Sequence, residues 1–121
     1  MSQNQFSGRI PGEIVRLHRL QKLLLSENKL TGSIPSADET IPGWANLSGL
    51  KVFKVDKNIL TGILPAKFFD GAGSNLEIFD IGFNKLHGTL PKTVGTLVKL
   101  RQFYAAFNQF SGTLPNEMKY M

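Results

Sequence analysis

The stretch Asn28-Lys29-Leu30-Thr31-Gly32-Ser33-Ile34-Pro35 decides the fold of this chain, because its pattern is written five times. Asn4 opens Asn-Gln-Phe-Ser-Gly-Arg-Ile-Pro, and Asn58 opens Asn-Ile-Leu-Thr-Gly-Ile-Leu-Pro. Asn84 opens Asn-Lys-Leu-His-Gly-Thr-Leu-Pro, and Asn108 opens Asn-Gln-Phe-Ser-Gly-Thr-Leu-Pro. The asparagines are 24, 30, 26 and 24 residues apart. An internal period in this range signals a stack of similar coils, each burying its apolar face against its neighbours.

Working outward from each asparagine, a second pattern precedes it. Leu17, Leu20, Leu23 and Leu25 precede Asn28, and Leu47, Leu50, Phe53 and Val55 precede Asn58. Leu76, Phe79 and Ile81 precede Asn84, and Leu97, Leu100, Phe103 and Ala105 precede Asn108. The apolar pair five and three residues before each asparagine alternates with its neighbours, which predicts a short strand with one buried face. One such strand per coil predicts a parallel sheet with strands about 4.8 Å apart.

The other fixed positions have separate physical reasons. An asparagine carries two donors and an acceptor on one amide. Turned into the coil, the column Asn4, Asn28, Asn58, Asn84 and Asn108 is expected to satisfy backbone groups of its own turn and of the next coil. Leaving such a group buried and unpaired costs about 1–3 kcal/mol. Glycine four residues on permits a positive φ or a close backbone approach. Proline seven residues on fixes φ and ends the extended segment. Ile14, Phe68, Val94 and Met118 each follow that proline by three residues and are expected to point inward on the convex side, with Trp44 in that place in the longest repeat.

At these residues the repeat is similar to the plant-type leucine-rich repeat, Leu-x-x-Leu-x-Leu-x-x-Asn-x-Leu-Ser/Thr-Gly-x-Ile/Leu-Pro. Gly8-Arg9-Ile10-Pro11, Gly32-Ser33-Ile34-Pro35, Gly62-Ile63-Leu64-Pro65, Gly88-Thr89-Leu90-Pro91 and Gly112-Thr113-Leu114-Pro115 carry the subclass match. The resemblance covers nearly the whole chain. It implies an α/β-like solenoid: a right-handed superhelix with a concave parallel sheet and an irregular or 3-10 convex side. It also implies the company of receptor-like proteins, receptor-kinase ectodomains and inhibitors of cell-wall-degrading enzymes, and hence an extracellular or membrane-attached setting.

Two departures stand out. Family ectodomains usually carry cysteine-paired caps, and this chain has no cysteine. Phe68-Phe69-Asp70-Gly71-Ala72-Gly73-Ser74-Asn75 puts Gly73 where other repeats have Leu17, Leu47 or Leu97. Residues 1–121 therefore read as one solenoid segment of about five repeats, the first and last incomplete, expected to be flanked by further repeats.

Composition narrows the function classes. Of 121 residues, 41% are hydrophobic and 19% charged, which excludes a disordered chain. The absence of cysteine excludes disulfides, thiolate metal sites and a cysteine nucleophile. The net charge of +5 comes from basic residues spread along the chain, whereas a nucleic-acid footprint needs them clustered. No stretch approaches the roughly 18 apolar residues of a membrane span. The N-terminus lacks a basic region followed by an apolar run, so it does not read as a secretory signal. His18 and His87 fall at different coil positions and read as solvent-facing. Asp38 and Glu39 are sequence neighbours, so they need not converge on one substrate as a glycosidase pair must. Gly71-Ala72-Gly73-Ser74 lacks the third glycine and the strand–helix context of a dinucleotide loop. No cofactor, metal site or catalytic group is expected.

Recognition is expected on the concave face, where columns of outward residues form. Four before the asparagine stand Leu24, Lys54, Asp80 and Tyr104; two before stand Ser26, Asp56, Gly82 and Ala106. One before stand Glu27, Lys57, Phe83 and Phe107; one after stand Lys29, Ile59, Lys85 and Gln109. Lys54 can meet Asp80, Glu27 can meet Lys57, and Phe83 can stack on Phe107. The candidate ligand-binding set is Lys54, Lys57, Asp80, Phe83, Lys85, Tyr104 and Phe107, for a protein or peptide ligand, with a glycan as a further option. Exposed aromatics in a patch point to a partner. The competing readings are an inhibitor of secreted cell-wall hydrolases and a scaffold segment with no ligand of its own. Asn46-Leu47-Ser48 matches the glycosylation sequon, with Asn46 the acceptor if the chain is secreted.

Overall fold

A computed structural model of the chain describes residues 6–36, 43–65, 67–69 and 75–110. Asn4, Met118, the Asp38–Glu39 pair, Gly73 and the Gly112–Pro115 signature lie outside these residues. In chain order the strands are β1 (Ser7–Arg9), β2 (Lys22–Leu24), β3 (Lys29–Thr31), β4 (Val52–Lys54), β5 (Ile78–Asp80), β6 (His87–Gly88), β7 (Gln102–Tyr104) and β8 (Gln109–Phe110). Short 3-10 helices span Gly12–Arg16, Trp44–Asn46 and Lys92–Thr96.

Strands β2, β4, β5 and β7 form one parallel sheet in that order. Its register is that of the repeat: Leu23, Phe53, Phe79 and Phe103 are successive Cα partners, as are Leu24, Lys54, Asp80 and Tyr104. The alternation read from the sequence holds, since the central residue of each strand turns inward. Inward aromatics run through the coil interior as a continuous column. Phe79 stacks on Phe53 at 5.3 Å and on Phe103 at 5.4 Å, and Trp44 meets Phe53 edge-on at 5.2 Å.

The convex side follows from proline. Pro11 and Pro91 are extended, with φ of −66° and −60°, and each leads directly into a 3-10 helix. The third residue after each proline donates its N–H back to the proline carbonyl: Ile14 to Pro11, Phe68 to Pro65 and Val94 to Pro91. That bond turns the chain inward, and Phe68 and Val94 are buried as expected. In the first coil Val15 takes the deepest place and Ile14 packs partly buried beside it. Trp44 is buried, and its indole N–H donates to the Pro35 carbonyl at 2.7 Å, so the longest repeat is closed by a side chain.

Three features go beyond the repeat pattern. The stretch after the asparagine, read as extended up to the proline, also pairs between coils as a second set of parallel strands. β1 pairs with β3, β6 with β8, and Ile63 bridges to His87. The glycines there have φ between 77° and 88° at Gly8, Gly32, Gly62 and Gly88, which lets the short strand bend toward the proline. Second, Leu17 is 55% exposed although it matches the buried Leu47 and Leu97. It lies on the first described coil, against which, among the described residues, a neighbouring coil packs on one side only. Third, Phe69 is buried against Phe68 and Phe79, although no repeat position marks it as core.

The asparagines form the ladder that the repeat implies. Asn58 Nδ2 donates to the carbonyls of Val55 and Asp56 in its own turn and of Leu25 in the preceding coil. Its Oδ1 accepts the N–H of Leu30. Asn84 and Asn108 repeat this arrangement, accepting from Leu60 and Leu86 at 3.0 Å. Asn28 accepts from Phe6. Each amide thus ties two coils and closes one turn.

Candidate functional site

The outward face of the four-stranded sheet is built by strands that each turn one residue in and two out. Lys54 and Asp80 are side by side on β4 and β5, and Asp80 is side by side with Tyr104 on β7. Lys57 reaches Glu27 across two coils, Nζ to Oε1 at 3.5 Å. Phe83 and Phe107 stack with centroids 4.3 Å apart and rings 16° from parallel. All four juxtapositions were legible in the columns.

The structure corrects where the two phenylalanines sit. They were expected on strand positions, but Phe83 and Phe107 lie past the strand ends, in the turn that the asparagine closes. Their φ values are 55° and 59°, and Glu27 and Lys57 share this left-handed conformation. For a residue with a β-carbon that conformation costs about 1–2 kcal/mol. It swings the side chain at this position out along the flank of the sheet. Phe83 is 49% exposed, Tyr104 52% and Phe107 71%.

Between the two outward rows the surface falls. The column two before the asparagine holds Ser26 and Asp56 on the first two strand-bearing coils, both buried, with the Ser26 hydroxyl donating to Asp56 Oδ1. On the next two coils it holds only Gly82 and Ala106. A β-carbon at Gly82 would lie 3.3 Å from both the Ala106 carbonyl and Asp80 Oδ1, so this floor is tight. Asp80 is half-buried and accepts the Gly82 N–H at 3.0 Å. Loss of solvent raises its carboxyl pKa above the ordinary value; the Asp56 charge adds to this, while the Gly82 N–H, Lys54 and Lys57 oppose it. Sequence columns placed Asp80 correctly but gave no sign of this burial, which comes from neighbouring coils.

Lys85 sits on the other side of the asparagine turn, on the run into β6, with its N–H on the Leu60 carbonyl. Asn46 is exposed on the 3-10 side, and its Nδ2, the atom that would carry a glycan, donates to the Val15 carbonyl at 2.7 Å. His18 and His87 are exposed. Among the described residues, no cluster of three or more His, Cys, Asp or Glu could hold a metal, and no helix is long and apolar enough to cross a membrane. A shallow open groove lined by Ser33, Ile34, Gly62, Ile63 and Pro65 lies beside the second set of strands. What the sheet face offers is an extended surface of aromatic and charged side chains on a rigid ladder.

A solenoid with one sheet strand, one asparagine and one proline-led turn per coil is a leucine-rich-repeat protein. The Leucine Rich Repeat family profile matches residues 19–40 and 75–97. The chain belongs to the plant leucine-rich-repeat receptor-like family. It is 35% identical over 94% of its length to Receptor-like protein 35 of Arabidopsis thaliana, and it spans 11% of that relative's length. Among solved structures, it superposes on the ectodomain of the Arabidopsis receptor kinase HAESA, solved with a peptide hormone ligand. There the TM-score is 0.87 and the identity 35%, over 99% of this chain and 19% of that one. It also superposes on a plant ice-binding protein with a TM-score of 0.82 and 29% identity, over 97% of this chain and 36% of that one.

Proposed function

We propose that the concave sheet face of this chain recognises a peptide or protein segment, as part of a receptor-like ectodomain. Phe83, Tyr104 and Phe107 anchor the partner, and Lys54, Lys57, Asp80 and Lys85 set the charge it must match. The observation that carries this reading is three large aromatics gathered on solvent-facing positions of one sheet edge, two of them stacked. The fold does not require them there, because its aromatic core is filled by Phe53, Phe68, Phe79 and Trp44. Clustered exposed aromatics are the usual anchors of protein interfaces.

The fold alone leaves the ligand open, since the same coil serves a peptide-hormone receptor and an ice-binding protein. What the chain binds is therefore set by the side chains on its sheet face. The chemistry is binding, with no nucleophile, general base or metal needed. The setting that fits this reading is extracellular, in keeping with relatives named receptor-like proteins.

The test is a pull-down from plant extracellular fluid with the immobilised chain. A partner recovered by the wild type should be lost with a Phe83→Ser/Phe107→Ser variant and with Tyr104→Ser. Circular dichroism of the variants should match the wild type. Equal recovery by wild type and variants overturns the proposal.

A further inference from the structure

The recognition reading leaves one feature without an occupant. On coils three and four the sheet face carries two parallel rows of large side chains, Asp80–Tyr104 and Phe83–Phe107, with only Gly82 and Ala106 between them. The result is a notch with aromatic walls. At its coil-three end stands the Asp80 carboxylate, and beyond it on coil two the buried Asp56 carboxylate, held by Ser26.

The charges around this notch are arranged with a direction. On the coil-two side Asp80 faces Lys54, its strand partner, while Lys57 is turned to Glu27. On the coil-four side the neighbours of Asp80 are Tyr104 and Ala106, with Phe107 beyond them, none charged. A partner group entering along the notch from that side meets aromatic surface first and a carboxylate last. An apolar occupant would cover a half-buried carboxylate and strip its remaining water, with only the partly exposed Lys54 opposite it, which is costly. A side chain with an apolar stem and a cationic tip matches both parts. The planar guanidinium stacks on aromatic faces and forks onto a carboxylate, whereas an ammonium does neither as well.

We propose that this notch takes an arginine side chain of the peptide or protein partner. Its methylene stem lies over Gly82 and Ala106 between Tyr104 and the Phe83–Phe107 stack, and its guanidinium meets the Asp80 carboxylate. Asp56 supplies a second negative charge behind Asp80, and Tyr104 and Phe107 give the guanidinium plane a face to lie on. This rests on the recognition reading and adds the chemical identity of the contact.

The experiment is a selection from a random peptide display library on the immobilised full chain, followed by affinity measurement on the synthetic winners. Arginine should be enriched at one fixed position. Replacing it with citrulline, which keeps the shape and removes the charge, should weaken binding at least tenfold. Asp80→Asn should weaken binding by a similar factor and make arginine and citrulline peptides equal. Winners that depend on Phe83 and Phe107 but carry no preferred arginine, or that bind equally as citrulline peptides, overturn this inference and leave the recognition reading standing. A selection with no winner that depends on those aromatics overturns both. A concentration-dependent dimer in sedimentation, abolished by Phe107→Ser, assigns the notch to a second copy of this chain and also overturns it.

Discussion

Phe83 and Phe107 lie 24 residues apart in sequence and stack at 4.3 Å, although both stand in solvent and both hold a left-handed backbone. The stack is produced by the repeat: each residue precedes a ladder asparagine, and each asparagine closes its turn in the same way. An exposed aromatic pair contributes about 0.5–1.5 kcal/mol beyond burial. Phe107→Ser is therefore expected to lower stability by no more than about 1.5 kcal/mol. Chemical denaturation checks this against the binding loss described above. A loss of several kcal/mol would mean that the ring belongs to the core.

Asn84 makes the opposite kind of contact. Its Nδ2 donates to the Val55, Ile81 and Gly82 carbonyls and its Oδ1 accepts from Leu60. Asn84→Ala orphans buried groups on two coils, at about 1–3 kcal/mol for each that water cannot reach. Asn84→Asp is expected to be worse at neutral pH, because it aims an anion at three carbonyl oxygens. The gap between the two variants should narrow in acid, where the carboxyl is protonated. Urea midpoints at pH 7 and pH 4 give both comparisons.

Gly88 has a φ of 84°, and a β-carbon there would lie 2.9 Å from Ile63 Cγ2. Gly88→Ala should cost about 1–2 kcal/mol from the left-handed backbone, with an added penalty from the contact. Ile63 is exposed, so the double variant Gly88→Ala/Ile63→Ala should recover the contact penalty and leave the backbone one. Full recovery in thermal melts would show that the φ requirement is not the cause.

Asp80 has its carboxyl pKa raised, chiefly by burial. A carboxylate raised in the folded state destabilises the fold when ionised. Its favourable contribution is complete below the ordinary value of 3.8 and is lost as pH rises through the folded value. Asp80→Asn, which can still accept the Gly82 N–H, should therefore raise the melting temperature at pH 7 and give no such gain below pH 3.8. The same variant is expected to lose arginine-dependent binding, so stability and recognition should move in opposite directions. A lower melting temperature at pH 7 would contradict the burial argument.

Trp44 shows what a long repeat must supply. Its ring packs on Phe53 and Phe68 and its indole N–H reaches Pro35. Trp44→Ala should cost about 3–5 kcal/mol, the range for a buried aromatic. Trp44→Phe should retain most of the packing and lose the hydrogen bond, worth about 0.5–1.5 kcal/mol. Melting curves of the two variants separate these terms.

The solenoid, its register and its ladder were legible in the amino-acid pattern, because a repeat applies the same local chemistry in every coil. Leu23, Phe53, Phe79 and Phe103 share one offset and therefore one column, and Asn58 and Asn84 must answer the same orphaned backbone groups. The same pattern placed Tyr104 beside Asp80 and Phe83 beside Phe107, since stacking converts equal offsets into contact. What depends on the coils above and below could be read only from the packed chain. Leu17 and Leu47 occupy one offset, yet only Leu47 is covered on both sides. Phe69 is core because of where Phe68 and Phe79 bring it. The second set of strands arises when neighbouring coils offer each other backbone partners, which no single repeat displays. Asp80 becomes a half-dry carboxylate at the end of an aromatic notch only when the surrounding side chains of three coils close around it, because desolvation is set by neighbours in space.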